Sequence, residues 1–395
     1  MRARGVRFWL AWSWRDFRRR WPVIVAIGLL LAGGVGLAAG LGSMREWRLA
    51  SNDASFGALA VHDLRVEAEE GAFAPAGSLA RAAVGIPAAE QITAVSERLI
   101  VPTQIDATAA AGASVITPGQ LIGVRSSPAR SVEGVAVAGP PVDAIALEAG
   151  RGLDAEPGGA IVGTLYAEEN GIDPGERIVV AGGGTLEVAG LGSSPETFVP
   201  IGPGGPFRSA RDFGSLFVEL ETAQIIAGRR GQVNDLALTL EQGADRDLVA
   251  AQLTERLRAE VPGFGATVTT VDDLEGRRVL YDDAVNDQQL FDVFAFLILA
   301  GAAFGAFNLI SRTVEAQRRE IGIGMALGVE PWRLAIRPLA MALQIAVLGV
   351  ALGVGVGLAV NEWLRSVLAE QLPLPFLETD FQEGTFLQRA AIGFV

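Results

Sequence analysis

Three long apolar runs and one long mixed stretch divide the chain. The runs are residues 22–42 (PVIVAIGLLLAGGVGLAAGLG), 290–310 (LFDVFAFLILAGAAFGAFNLI) and 339–360 (LAMALQIAVLGVALGVGVGLAV). Each holds about 20 residues, enough to cross a hydrocarbon core as a helix. A compact polar segment, residues 311–338, separates the second run from the third. Its Glu-x-x-Arg-Arg-Glu pattern is followed by the near-apolar IGIGMALG. This predicts a short helix lying across the membrane surface, facing a soluble partner.

The mixed stretch, 43–287, reads as α/β. Strand patterns fall at 60–66, 91–101, 177–180, 185–191, 216–220 and 235–240, mostly bounded by Gly, Pro or Asp. Helices are predicted at 159–170 and 245–261. The second groups Leu248, Ala251, Leu253, Leu257 and Val261 on one broad face. The PIGPGGPF cluster at 200–207 reads as a loop, Gly182–Gly184 as a hairpin turn, and 267–287 as a polar helical stalk returning to the membrane.

Ahead of the first run, residues 4–21 place Val6, Leu10, Trp14, Phe17 and Trp21 at helical spacing, with Arg7, Arg15 and Arg18 off that stripe. Four Trp in this stretch suit the headgroup zone. An interfacial elbow helix over 1–21 is expected, with Trp9, Trp14, Phe17 and Trp21 at the membrane interface. In the third run, Gly349, Gly353 and Gly357 recur every four residues, a spacing that lets a neighbouring helix approach closely.

Charge sets the expected orientation. Residues 1–21 carry seven Arg and one acid, the 312–337 loop five Arg and three Glu, and the 45–287 stretch 18 Arg against 35 acids. Short Arg-rich flanks stay cytoplasmic, so the N-terminus and the loop are placed inside and the mixed domain outside. The first run lacks a small-x-small cleavage site after it, and is read as a retained anchor. Half the residues are hydrophobic, and mean hydropathy is +0.35. The predicted class is an α-helical membrane protein with a large mixed α/β extracytoplasmic domain, three complete transmembrane helices and the start of a fourth at 386–395. With zero Cys, the external domain rests on its own core.

Candidate chemistry is sparse. All 32 basic residues are Arg, so the Lys of a Walker A phosphate loop is absent. The one His, His62, has no Cys to complete a usual zinc site and no evident Ser partner, and is read as structural or surface. Acidic pairs such as Asp272/Asp273 and Asp282/Asp283 suit a solvated acidic surface. Asp292 and Asn308 are polar positions near opposite ends of the second run. No metal site, catalytic group or nucleic-acid partner is expected.

The run of Glu315-Ala-Gln-Arg-Arg-Glu-Ile-Gly-Ile with Ala326-Leu327-Gly328, set between two spans, resembles the signature of the FtsX-like/MacB-like permeases of ABC systems. Residues 159–192 and 217–257 are similar to the MacB-type periplasmic core domain. The resemblance implies a bacterial cytoplasmic-membrane, multi-pass permease of the mechanotransmission type. Its cofactor would be ATP/Mg held by a separate cytoplasmic ABC ATPase, with none in this chain. Its other partners would be a second permease module and an external lipoprotein, substrate or hydrolase. Glu315, Arg318, Arg319, Glu320, Ile321 and Gly328 match the signature and would form the ATPase-coupling loop. The implied division is an elbow at 1–21, spans at 22–42, 288–310 and 338–360, a core domain with stalk at 43–287, a coupling loop at 311–337, an external loop at 361–385 and a further span from 386. Two other readings stand beside transport: a regulator of an external cell-wall hydrolase, and an ATPase-independent receptor or scaffold.

Overall fold

The computed structural model describes residues 2–42, 44–112, 114–155, 158–201, 209–328, 330–369 and 372–378. These divide into two compact units. One contains the chain up to Leu49 and Asp283–Leu372, the other Ala50–Asp282 with Pro373–Leu377.

The first unit is helical. Helices Arg2–Gly42, Glu275–Glu315 and Pro331–Ala369 supply its long elements, with the short helix Arg318–Ala326 between the last two. Among the described residues, three helices are long and apolar enough to cross a membrane, and 50% of the apolar window of the first is buried, against 17% and 22% for the others. The first helix is therefore the centre of the packing. Ile24 and Ile27 meet Ala306, Met341 and Ile345. A Cβ built on Gly34 would touch Ala302, one on Gly36 would lie 2.7 Å from the Gly353 carbonyl oxygen, and one on Gly353 would lie 3.3 Å from that of Ala32. Small residues let these helix axes approach closely. The helix Arg2–Gly42 is continuous through Pro22, so residues 1–21 and the first apolar run share one helix. Helix Met44–Ala58 follows it. There the buried Arg48 donates to Asp287 at 2.5 Å and Asp283 at 2.6 Å on the helix Glu275–Glu315.

The second unit is built on a sheet. Its strands run in the order Thr267–Thr270, Leu64–Glu67, Asp235–Leu240, Ile92–Asp106, Ile116–Val124, Gly214–Glu219, Gly159–Gly163, Gly184–Ser193, Ile145–Gly150, Val135–Gly139 and Ser127–Val132. Arg177–Val180 pairs beside Gly184–Ser193, across the turn at Gly182 and Gly183. The long strand Ile92–Asp106 belongs to both halves. Its start, up to Arg98, pairs with Asp235–Leu240, and its remainder, from Leu99, pairs with Ile116–Val124. Helices Ser78–Val84 and Arg246–Glu260 cover the first half.

Several expectations change here. The predicted helix at 159–170 is a strand, Gly159–Gly163, followed by a helix, Thr164–Asn170. All five strand residues are buried, strands pair along both edges, and a continuous apolar run suits a strand covered on both faces. The stalk at 267–287 begins as the edge strand Thr267–Thr270, where β-branched residues fit a pleat, and its helix starts only at Glu275. The buried face of Arg246–Glu260 is Val249, Leu253 and Leu257, while Leu248 is 43% exposed. Asp245 caps that helix, accepting from the Leu248 N–H at 3.0 Å. The strand expected from residue 60 starts at Leu64. The 200–207 loop beyond Ile201, the 361–385 loop beyond Glu378, and the fourth span fall outside the described residues.

Candidate functional site

Two features carry chemistry. The first is the segment between the second and third long helices. Helix Glu275–Glu315 stops, Gln317 is buried at the N-cap, and Arg318–Ala326 forms a separate short helix. That helix ends where Leu327 N–H donates to Ile323 O and Gly328 N–H to Met325 O, each at 3.0 Å. Gly328 then takes φ +78°, a conformation a Cβ disfavours, and the chain turns into Pro331 at the start of the next helix. Leu334 of that helix packs by Gly324.

Glu315, Arg318 and Arg319 are exposed, Ile321 is half-buried, and Glu320 lies within the short helix with its side chain outside the described residues. In the same segment, Ile323 and Met325 are each 54% exposed, Leu327 79% and Trp332 61%. Of the apolar residues here only Ile321 was singled out from the sequence, although IGIGMALG marked the stretch. Gly349 approaches Leu31 and the Gly28 carbonyl, and the Gly357 carbonyl faces Gly40. Trp21 is exposed. Trp9, Trp14 and Phe17 lie on the first helix, and their side chains fall outside those described. Asp292 accepts from Gln288 Nε2 at 2.7 Å, one turn away on its own helix.

The second feature was not foreseen as a site. His62 is buried, in the connection between helix Met44–Ala58 and strand Leu64–Glu67. Its Nδ1 lies 3.0 Å from both carboxylate oxygens of Asp143, and its backbone N–H donates to Asp143 Oδ1. Arg98 Nη1 donates to Asp143 at 3.0 Å and to Glu196 at 2.9 Å, and its Nε donates to Asp235 at 2.6 Å. Arg65 Nε donates to the other oxygen of Asp235 at 2.7 Å, and its Nη1 lies 3.3 Å from Glu196 and 2.9 Å from the rim carboxylate of Glu67.

Burial of charge is costly unless each group is paired, and here the pairing is mutual. For His62, burial alone would lower the pKa, but the Asp143 charge and hydrogen bond, with Glu196, outweigh it and raise the pKa against the opposing Arg98. Asp143 is held below the ordinary carboxylate range: burial pushes it up, but His62 and Arg98 pull it down further. Glu196 is likewise lowered, its burial offset by Arg65 and Arg98. His62, Asp143 and Glu196 bring potential ligand atoms within 4.8 Å of one another. A metal cation there would sit against the Arg98 guanidinium, which already spans both carboxylates, so the donor set does not fit one.

Residues 293–384 match the model of the FtsX-like permease C-terminal family. The matched segment contains the short helix, the helix Pro331–Ala369 and the part of helix Glu275–Glu315 from residue 293, so the likeness seen in Glu315–Gly328 is shown for this part of the chain. No curated protein matches. Two of the solved structures similar to the chain are extracytoplasmic regions of other proteins. The periplasmic region of MacB from Actinobacillus actinomycetemcomitans is 10% identical, with a TM-score of 0.35, and the match covers 56% of this chain and 94% of that one. The extracellular domain of the noncanonic ABC-type transporter YknZ from Gram-positive bacteria is 10% identical, with a TM-score of 0.33, over 52% of this chain and 99% of that one.

Proposed function

We propose that this chain is the membrane permease subunit of an ABC system of the mechanotransmission type. A separate cytoplasmic ATPase would seat the Arg318–Ala326 helix in a groove, and its nucleotide-driven closure would move the helices and the α/β domain to which they connect. The work would be done outside the membrane, on a lipoprotein, peptide, lipid or drug. The supporting observation is the short helix itself. It carries exposed Arg318, Arg319, Ile323 and Met325, is followed by exposed Leu327 and by Trp332 at the start of the next helix, and lies within the FtsX-like match. An exposed apolar patch rimmed by charge suits a helix-in-groove partner. The proposed topology has the N-terminus and this helix inside and the α/β domain outside, following the Arg distribution.

Co-purification from native membranes tests this reading. Wild type is expected to bring down a stoichiometric ATPase, and an Arg318→Glu/Arg319→Glu variant that still inserts is expected to lose it. Absence of any ATPase from the wild-type preparation would sink the permease reading.

A further inference from the structure

The buried charge cluster has an uneven count. Two guanidinium groups, Arg65 and Arg98, face three carboxylates, Asp143, Glu196 and Asp235. Protonated His62 makes this inner set neutral, and neutral His62 leaves it one negative charge in excess. Glu67, at the half-exposed rim, touches Arg65 alone. Next to His62 in sequence, Asp63 is turned elsewhere: it accepts from Leu240 N–H at 2.8 Å and pairs with Arg246 at 3.0 Å. The groups facing the imidazole are therefore Asp143, Glu196 and Arg98.

The position of the cluster gives that count a consequence. Arg65 and Asp235 lie on strands of the first half of the sheet. Asp143, before strand Ile145–Gly150, and Glu196, after Gly184–Ser193, lie on connections of the second half. Arg98 sits at the last pair before the shared strand changes neighbours, since Arg98 faces Asp235 and Leu99 faces Gly123. His62 follows the helix Met44–Ala58, whose exit is tied to the second half where Asp143 N–H donates to Ala60 O and Ala144 N–H to Leu59 O. Ala60 takes φ +50°, a left-handed conformation that Ala holds only when its surroundings enforce it, and Asp143 takes φ +54°, which Asp tolerates more readily.

We propose that this cluster is a proton-operated latch. With His62 protonated, it locks both halves of the sheet and the exit of helix Met44–Ala58 into one arrangement. Loss of that proton leaves an uncompensated buried carboxylate and frees the halves to shift. The sign follows from linkage. A His whose folded pKa is raised contributes stability that is fully present below its unfolded value of 6.5 and lost as pH rises through the folded value. The latch opens toward alkaline pH. It does not rest on the permease reading, because every group in it lies within the α/β domain.

The test uses the full chain in lipid nanodiscs. His62 is the one His in the sequence, so its imidazole NMR signal is unambiguous, and zero Cys allows two clean spin labels. Glu255→Cys on helix Arg246–Glu260 and Ser131→Cys on strand Ser127–Val132, both exposed, report the separation of the halves. The expected result is an imidazole midpoint above 6.5 and a single narrow distance that broadens or shifts with the same midpoint. A His62→Gln variant should show the high-pH distribution throughout. If that variant fails to fold, wild type with the two Cys suffices, its imidazole and distance midpoints being compared directly. A midpoint at or below 6.5, or a distance unchanged while the imidazole titrates, overturns the latch.

Discussion

Arg98 and Asp235 stand directly opposite each other on neighbouring antiparallel strands, and the Arg98 Nε donates to Asp235 Oδ1 at 2.6 Å with both side chains at most 3% exposed. The pair closes the first half of the sheet at the point where the shared strand turns to its second set of neighbours. Asn234 completes that junction, with its side-chain amide exchanging two 2.8 Å hydrogen bonds with the backbone of Ile100.

Removing Arg98 takes one of the cationic partners from each of three buried carboxylates, Asp143, Glu196 and Asp235. Arg98→Met is expected to cost about 3–5 kcal/mol, the range for breaking a buried pair by deleting one partner. Denaturant unfolding of the α/β signal in the full chain measures it. A loss below about 1 kcal/mol, as for an exposed pair, would refute the burial argument.

Acid should weaken the same cluster from the other side. The Asp143 and Glu196 pKa values are lowered in the fold, so their contribution is present above the unfolded carboxylate range of roughly 4 and lost as pH falls through the folded values. Thermal unfolding of wild type should therefore fall steeply in acid. Asp143→Asn should start lower at neutral pH and show a shallower acid slope, and parallel slopes would count against the assignment.

In the helical unit, Gly353→Leu should force apart the helices Arg2–Gly42 and Pro331–Ala369, because even a Cβ there lies 3.2 Å from Val35. Overpacking of this kind costs about 1–3 kcal/mol. Gly355 faces open space within 4 Å, so Gly355→Leu is the matched control. Melting in detergent should fall for the first and stay within error for the second.

Leu327→Asp and Ile323→Asp should leave thermal stability unchanged, since both side chains are largely exposed. If a partner groove covers them, the same changes should reduce ATPase co-purification about tenfold or more, the scale of losing a buried anchor of about 1.4 kcal/mol or greater. Unchanged capture would remove the apolar face from the coupling role.

Local pattern made much of this chain legible. Apolar runs of helix-spanning length do not depend on distant partners, and the three long helices cover the runs at 22–42, 290–310 and 339–360. The strand Asp235–Leu240 and the hairpin across Gly182–Gly183 were readable for the same reason, since alternation and glycine turns are local. Residues 159–170 misled because a short, fully buried strand and a buried helix segment share one apolar pattern, and only flanking strands decide between them. Strands such as Ser127–Val132 and Val135–Gly139 went unread, as did helix Met44–Ala58, whose apolar positions are broken by Arg, Asn and Asp.

By itself the sequence determined the three long apolar runs, the Arg asymmetry, the Glu315–Gly328 segment and the lack of a Lys-bearing phosphate loop, because composition and short-range periodicity survive without a fold. Only the tertiary structure decided that His62 meets Asp143 across 81 residues and that Arg98 meets Asp235 across 137. Alone in its own stretch, none of these groups signals the others: His62 reads as structural or surface, and Arg98, Asp143 and Asp235 as ordinary charges of an acidic domain. Their shared burial makes each one's ionisation depend on the others, and that dependence exists only once the sheet has brought them together.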